Sequence, residues 1–535
     1  MNIALRYSTF ALLLAMSACN TPPSQSFIPQ TTAELSGGTR TSSYLEVETF
    51  IKGLESLPHG HKLFATTFGS SFEERPMQLV IAADPPLQDL AAVRASNKLR
   101  LLVNANIHAG EVEGKEAVQM ILREIALGAH KDLLAEAVIL FVPIYNADGN
   151  ERFDRHNRAT QNGPEEGVGI RPNAQGLDLN RDFLKAEAPE TRALLALMRD
   201  TDPHLFMDLH TTNGSYHGYH LTYAPSLSTN VDAGIDHFNR GALLPEVRRR
   251  MLAAHDYRVF DYGNFTGKQS GEWVTYDHRP RFGTNYVGLR NRFSVLSEAY
   301  SYVDFPTRIQ STRAFVLEVL GAAVRHRDTI IQVCADADAN VAAGNWSFGF
   351  DSHLGAAVEE TILVGTIEEL VLPEDFGTRR IWTDQITPTQ MPVRRGFTSD
   401  HSIGMPKGWL IPNPSERVIE LLELHGVEFN KTHSEETLLV ENFVPSAVNR
   451  EERLFQGHHE LSLEGSWQQT ERTLPSGSLF ISASQPLARV AAQLLEPNSE
   501  DSLATWDQLL GWEEALADQG KSSPVWRLLH QTKSD

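Results

Sequence analysis

Residues 99–111 read Leu99-Arg100-Leu101-Leu102-Val103-Asn104-Ala105-Asn106-Ile107-His108-Ala109-Gly110-Glu111, and the pattern changes immediately beyond them. The stretch to Ile107 is a mainly apolar run of strand length, the signature of a strand buried on both faces. From Gly114 to Ala126 the apolar residues Val118, Ile121, Leu122 and Ile125 recur at three- and four-residue spacing, which predicts an amphipathic helix. A buried strand feeding a helix is half of an α/β unit. The junction carries a polar pair, His108 and Glu111, at the C-terminal end of the strand.

An imidazole and a carboxylate three residues apart can chelate one zinc ion from a tight turn, and Gly110 lets that turn form. The pair alone is weak, since 20 histidines in an acidic chain give about one such match by chance. Two others occur, His425…Glu428 and His433…Glu436. His425 reads as the end of a helix and His433 as part of a solvated loop. Only His108 follows a long buried-type strand and precedes an amphipathic helix.

Three further strands are predicted at Ala137–Ile144, His204–Leu209 and Phe293–Leu296. With the intervening helical patterns they predict an α/β fold, a mixed sheet flanked by helices. Asn146, His210 and Glu298 each sit at or just past the end of one of these strands, the edge at which open α/β sheets bind ligands. His210 therefore supplies a third ligand, leaving a coordination position open as catalytic zinc requires. His217 and His220, in a Gly/Tyr-rich loop, are competing candidates. A glutamate closing a buried strand, as Glu298 does, is poorly explained by packing and suits a general base. The loop from Arg171 to Phe183 (Arg-Pro-Asn-Ala-Gln-Gly-Leu-Asp-Leu-Asn-Arg-Asp-Phe) holds two arginines and two asparagines around a glycine turn. That set suits a terminal carboxylate, which arginine binds bidentately, and Asp178 could orient a ligating histidine. Composition alone reads the same loop as a solvated connection.

The rest of the chain bounds the setting. At 535 residues two to three domains are expected. A net charge of −21 disfavours nucleic acid as a partner, because phosphate binding needs a basic surface. Arg6, the apolar run Phe10 to Met16 and the small residues Ser17-Ala18 before Cys19 read as a signal peptide over residues 1–18. The placement of Cys19 resembles a lipobox, where the cysteine becomes the lipidated first residue. Residues 19–44, rich in Ser, Thr, Pro and Gly, read as a flexible tether. This predicts a lipoprotein of a bacterial cell envelope, on the periplasmic face and more readily on the outer membrane than the inner. Cys334, the only other cysteine, then has no disulfide partner and reads as a small buried hydrophobe. A catalytic domain is assigned to residues 45–335. Residues 340–535 form a smaller C-terminal accessory domain, mixed α/β or β-rich. Within it a strand is expected at 409–412, a Ser-capped helix over 415–425, a strand at 427–429 and a helix over 486–495.

Taken in order, these motifs resemble the zinc metallocarboxypeptidases, the relatives of pancreatic carboxypeptidase A. His108 and Glu111 match the H-x-x-E element of that family, and His210 its distal histidine. Arg171 to Arg181 matches its R-x-N-x-x-G-x-D-L-N-R segment, and Glu298 its late-strand glutamate. Phe68 to Pro76 resembles a glycine-serine-arginine segment, with Glu74 where the family has glycine. The resemblance implies one Zn2+ per chain and peptide substrates with a free C-terminal carboxylate. It implies Arg171 at the scissile carbonyl, Asn180 and Arg181 on the substrate carboxylate, and Asp178 on a ligating histidine. It also implies a mobile tyrosine, for which Tyr286 is preferred over Tyr276. The likeness spans about residues 45 to 330, and the accessory domain has no pancreatic counterpart. Two rival readings are another zinc amide hydrolase of the same fold, acting on cell-wall peptides or acylated amino acids, and a non-catalytic binding protein. The second usually lacks a ligand or the base, and all are present here.

Overall fold

A computed structural model describes residues 28–267, 270–373, 376–517 and 523–529. Its central element is a sheet of eight strands: β1 (Leu63–Ser70), β2 (Pro76–Ala82), β3 (Leu99–Ala105), β4 (Ala137–Val142), β5 (Leu205–Thr212), β6 (Leu221–Ala224), β7 (Val259–Asp261) and β10 (Phe293–Tyr300). Two short strands, β8 (Asn264–Phe265) and β9 (Trp273–Val274), lie outside it. The order across the sheet is β1-β2-β4-β3-β5-β10-β6-β7. β4, β3, β5 and β10 run parallel, and antiparallel pairings join them to β2 on one side and β6 on the other. The fold is the expected mixed α/β sheet flanked by helices. β3 has β4 on one side and β5 on the other, so the chain changes direction across the sheet there. Such switch points open a crevice at the carboxyl ends of the strands.

Alternate side chains of each strand face opposite layers. Val80, Ala82, Leu101, Val103, Ile139 and Phe141 pack with the helices Tyr44–Leu54, Glu113–Ala126 and Phe305–Arg325. Leu79, Ile81, Leu102, Val138 and Leu140 join a core that includes the helix Pro189–Thr201 and continues into the C-terminal residues Trp409, Leu421, Leu422, Ala491 and Leu494. One apolar core therefore crosses residue 340, with no break between the two parts of the chain.

The C-terminal region is rich in sheet. β11 (Ser347–Leu354) pairs with β14 (Phe397–Gly404), and β12 (Val358–Val371) with β13 (Thr378–Arg394), which also pairs with β9. A six-stranded sheet holds β15 (Gly408–Ile411), β16 (Asn430–Lys431), β17 (Glu436–Phe455), β18 (His458–Leu474), β19 (Leu479–Ser482) and β20 (Trp526–Leu528). Helices run over Glu416–His425, capped by Ser415, and over Ala488–Leu495.

Two local expectations are corrected. The strand expected at 427–429 is a two-residue bridge at Asn430–Lys431, because Gly426 ends the helix in a left-handed turn and delays pairing. Residues 28–43 of the expected tether are packed on the body. Thr41 and Ser42 are buried and donate to the buried Glu116 carboxylate, at 2.8 Å from Thr41 Oγ1 and 2.7 Å from Ser42 N. A short Ser/Thr segment that satisfies a buried acid has a reason to be ordered that composition does not reveal. Residues 1–27, with the signal peptide and Cys19, lie outside the described residues. Among the described residues no helix is long and apolar enough to cross a membrane.

Candidate metal centre and substrate cleft

Three neighbouring parallel strands deliver the polar residues. β3 ends at Ala105, and Asn106 takes a left-handed conformation (φ 64°) that turns the chain sharply. The Glu111 N–H then donates to the His108 carbonyl at 2.9 Å, closing the turn before the helix begins at Glu113. Gly110 is needed here for room: a Cβ would lie 2.6 Å from Arg158 Cδ and 3.1 Å from the Gly169 carbonyl. Asn146, at the end of β4, binds the strand-end loops together. Its Oδ1 accepts from Gly149, while its Nδ2 donates to the carbonyls of Ile107, Arg171 and Pro172. On β5 and β10, His210 and Glu298 are direct register partners.

These elements bring two imidazoles and a carboxylate together. His108 Nδ1 lies 3.1 Å from Glu111 Oε1 and 3.2 Å from His210 Nδ1, and His210 Nδ1 lies 3.0 Å from Glu111 Oε2. Ligand atoms about 2.0–2.2 Å from a tetrahedral zinc stand about 3.3–3.6 Å apart, slightly wider than this triangle. The opposite face of each ring is committed. His108 Nε2 is 3.0 Å from Asp178 Oδ1, and His210 Nε2 is 2.9 Å from Asp208 Oδ2. A carboxylate only accepts, so each Nε2 carries the proton and each Nδ1 is free to ligate. Among the described residues this is the only His/Cys/Asp/Glu group with donor atoms so gathered. The donor set and spacing fit zinc.

The surrounding charges are unequal. Burial opposes ionisation of Glu111, but His108 and Arg158 outweigh it and hold the carboxylate well below its usual range. Burial likewise opposes the Asp178 carboxylate, and His108 with Arg171 again overcomes it, lowering its pKa. Arg171 reaches Asp178 Oδ2 through Nε at 2.9 Å and places Nη1 3.2 Å from His108 Nδ1. Glu298 goes the other way. Burial pushes its carboxyl up to about 8, with His210 pulling down and the Glu111 charge adding to the rise. Two carboxylates in one site are thus driven apart in acidity, the pattern that separates a ligand from an acid/base group.

A cavity of about 670 Å³ opens over the triangle. His108, Glu111, Arg171, Asn180, Arg181, His210 and Glu298 all line it. Asn180 Oδ1 accepts from Gly283 N at 2.8 Å, and the Arg181 guanidinium lies 3.9 Å over the Phe282 ring, facing the cavity with its remaining donors.

Tyr286 is a correction. Its ring is fully buried, Arg290 Nη1 donates to its hydroxyl at 3.0 Å, and the hydroxyl lies 2.8 Å from His425 Nδ1. His425 Nε2 meets the Leu184 carbonyl at 3.0 Å, so Nδ1 is the acceptor and Tyr286 the donor. Tyr286 therefore holds the C-terminal helix. The tyrosines of the cavity wall are Tyr276, whose hydroxyl is 2.9 Å from Thr284 Oγ1, and Tyr262. Competing His217 is buried against Tyr300, with ring centroids 3.9 Å apart, and burial pushes it down to about 3. Neither it nor His220 joins the triangle. His425 and His433 likewise lie apart from any such group, and Cys334 is a buried free thiol.

Two neighbours escaped the sequence reading. Asp208 precedes His210 by two residues on one strand, a spacing that puts both side chains on one face and was available as a signal. Arg158 had none. It sits in a loop in the left-handed conformation (φ 55°) and donates to Glu111 Oε1 at 2.9 Å and to the Thr211 carbonyl at 2.8 Å.

The profile of the zinc carboxypeptidase family matches residues 49–282, a segment that contains the ligand triad and the 171–181 loop and stops short of Glu298. Carboxypeptidase 2 of Trichophyton equinum is 22% identical over 454 residues, covering 81% of this chain and 77% of its own. Carboxypeptidase 2 of Trichophyton rubrum matches to the same extent. Among solved structures, a metallo-carboxypeptidase from Burkholderia cenocepacia is 18% identical, covers 54% of this chain and 70% of its own, and has a TM-score of 0.40. One from Pseudomonas aeruginosa is 16% identical, with 54% and 70% coverage and a TM-score of 0.39. Residues 49–282 thus match the zinc carboxypeptidase family, and together with the curated relatives this match supports a metallocarboxypeptidase.

Proposed function

We propose that this protein removes the C-terminal residue of peptides, with Glu298 as general acid/base and the 171–181 loop as the carboxylate-recognition element. The observation that carries the reading is the convergence of a zinc-fitting donor triangle, the Glu298 carboxyl of raised pKa and the side chains of Asn180 and Arg181 in one cavity. His108, Glu111 and His210 would hold the zinc, which would supply Lewis acidity toward a water and a carbonyl. Glu298 takes a proton from the attacking water and delivers it to the leaving amine, returning to its ionised form. Arg171, with a guanidinium that its Asp178 contact orients, donates to the substrate carbonyl oxygen as negative charge builds there. Asn180 and Arg181 hold the terminal carboxylate, so only a chain end is placed for cleavage. Tyr276, at the wall with its hydroxyl on Thr284, is the tyrosine positioned to meet substrate.

The test is a panel of defined peptides, each with a free and an amidated C-terminus, assayed with and without a strong chelator. Release of single residues from the free series alone, abolished by the chelator and restored by zinc, is the expected result. Equal cleavage of amidated peptides would overturn the carboxylate reading.

The sequence of residues 1–19 supports a second proposal, that Cys19 is acylated and anchors the protein to the periplasmic face of a bacterial membrane, the outer in preference to the inner. Metabolic labelling with a radioactive fatty acid should mark the wild type and not Cys19→Ser; labelling of both would sink it.

A further inference from the structure

Among the described residues, the C-terminal region meets the metal centre at the turn of a hairpin. β17 and β18 form a long hairpin whose last pair is Phe455 opposite His458, so Gln456-Gly457 is a two-residue turn with both residues at positive φ, 51° and 84°. The Gln456 Oε1 accepts the main-chain N–H of Asp178 at 2.8 Å, across 278 positions of sequence. Asp178 is the residue on which His108 and Arg171 both depend. Its Oδ1 receives His108 Nε2 at 3.0 Å and the Asn180 N–H at 2.9 Å, and its Oδ2 receives Arg171 Nε.

The residue type is informative. A two-residue turn of this hand favours asparagine at the first position, where its short side chain tolerates the left-handed conformation. Glutamine gains nothing there for the turn, yet its extra methylene lets it span to Asp178. The same turn brings Phe455 into the wall of the substrate cavity. Its flanks are tied to the chain just beyond Arg181. His458 Nε2 lies 2.8 Å from Glu187 Oε1, while Arg417 donates to the Lys185 and Ala186 carbonyls and Gln508 to that of Lys185. The outer side of the segment 178–187 is thus clamped by residues that follow residue 400.

We propose that Gln456 is a positioning residue of the metal centre: by fixing the Asp178 main chain it sets the carboxylate that orients His108 and Arg171. The C-terminal region thereby completes the active site. This rests on the assignment of His108 as a zinc ligand and of Arg171 to the substrate carbonyl. Removing the acceptor leaves the Asp178 N–H without its partner and frees the peptide plane to rotate, so the grip on His108 loosens.

The test compares Gln456→Leu (apolar, no acceptor), Gln456→Asn (better suited to the turn, too short to reach) and Gln456→Glu (acceptor retained) in the full chain. Zinc affinity is measured by competition with a chromogenic chelator, and kcat and KM on a free-C-terminus peptide. The Leu and Asn variants should each lose about tenfold in zinc affinity, with kcat falling more than KM, while Glu keeps most of both. The Asn variant should keep the wild-type melting temperature, which separates positioning from folding. Wild-type zinc affinity and kcat in the Leu and Asn variants would overturn the proposal. So would a parallel loss in all three variants that tracks melting temperature. If the wild type released no C-terminal residue, the hydrolytic reading would fail, and the zinc competition would still decide the role of Gln456.

Discussion

His210 Nε2 lies 2.9 Å from the Oδ2 of Asp208, two residues earlier on the same strand. The other oxygen of Asp208 accepts from Asn104 Nδ2 at 3.0 Å, and Asn104 is its register partner on β3. One carboxylate thus fixes the tautomer and tilt of a ligating ring and is itself fixed by the neighbouring strand. Asp208→Ala should lower zinc affinity by about 10–100-fold with the fold intact. Asp208→Asn should fall between, since an amide oxygen still accepts but carries no charge. Chelator competition alongside circular dichroism checks this, and unchanged affinity in the Ala variant would remove Asp208 from the site.

Glu298 faces His210 in register but is outside the ligand triangle, so its removal separates chemistry from metal binding. Glu298→Gln should reduce kcat by at least about 10²–10⁴-fold while one zinc per chain remains. Elemental analysis and peptide turnover on the same preparation decide it. Full activity in a zinc-loaded Gln variant would end the general-base role.

The pH profile follows from the same residue. A general base works ionised, so kcat/KM should rise with pH as Glu298 loses its proton. Burial raises that pKa from 4.5 to about 8, and a bound zinc, as a positive neighbour, would lower it from there. The acid limb of kcat/KM should therefore fall between 4.5 and about 8. A substrate with no group titrating in this range keeps the reading clean. An acid limb below 4.5 contradicts the burial argument.

The carboxylate pair gives a specificity prediction. Arg181 presents its guanidinium to the cavity while stacked on Phe282. Arg181→Gln should lower kcat/KM for free-C-terminus peptides by about 10–100-fold, the size of a charge-assisted hydrogen-bond pair. Amidated peptides should be unaffected, so the ratio between the two collapses. A variant that still discriminates free from amidated ends would move carboxylate recognition elsewhere.

What the sequence revealed was local. The strand ends bearing His108, His210 and Glu298 were legible because an apolar run that stops at a polar residue leaves little ambiguity about where that residue faces. Composition left the loop of Asp178 a solvated connection, and only the resemblance of the whole 171–181 segment gave Asp178 its expected place beside a histidine. Arg158 could not be assigned: it reaches Glu111 from 47 positions away through a loop without periodicity, and only the folded path brings it there. The packing of Thr41 and Ser42 was hidden for a related reason, since their partner Glu116 lies more than 70 positions away on a helix that only the fold brings beside them. The choice between tyrosines failed because the burial of Tyr286 is decided by His425, 139 residues later. The long hairpins of the C-terminal region have too little apolar alternation to show their length.

The two tyrosines therefore make opposite predictions. Tyr286→Phe removes a buried hydroxyl that donates to His425 and accepts from Arg290, leaving both without that partner. It should destabilise the protein by about 1–3 kcal/mol and leave KM and kcat within the range set by reduced folding. Tyr276→Phe removes a hydroxyl at the cavity wall whose partner is the hydroxyl of Thr284, another residue that lines the cavity. It should cost little stability and change KM or kcat on a good substrate. Thermal melts and steady-state kinetics on both variants separate the roles. A Tyr286→Phe enzyme that melts like wild type but has lost substrate affinity would return Tyr286 to the active site and require the helix Gly283–Leu289 to move during turnover.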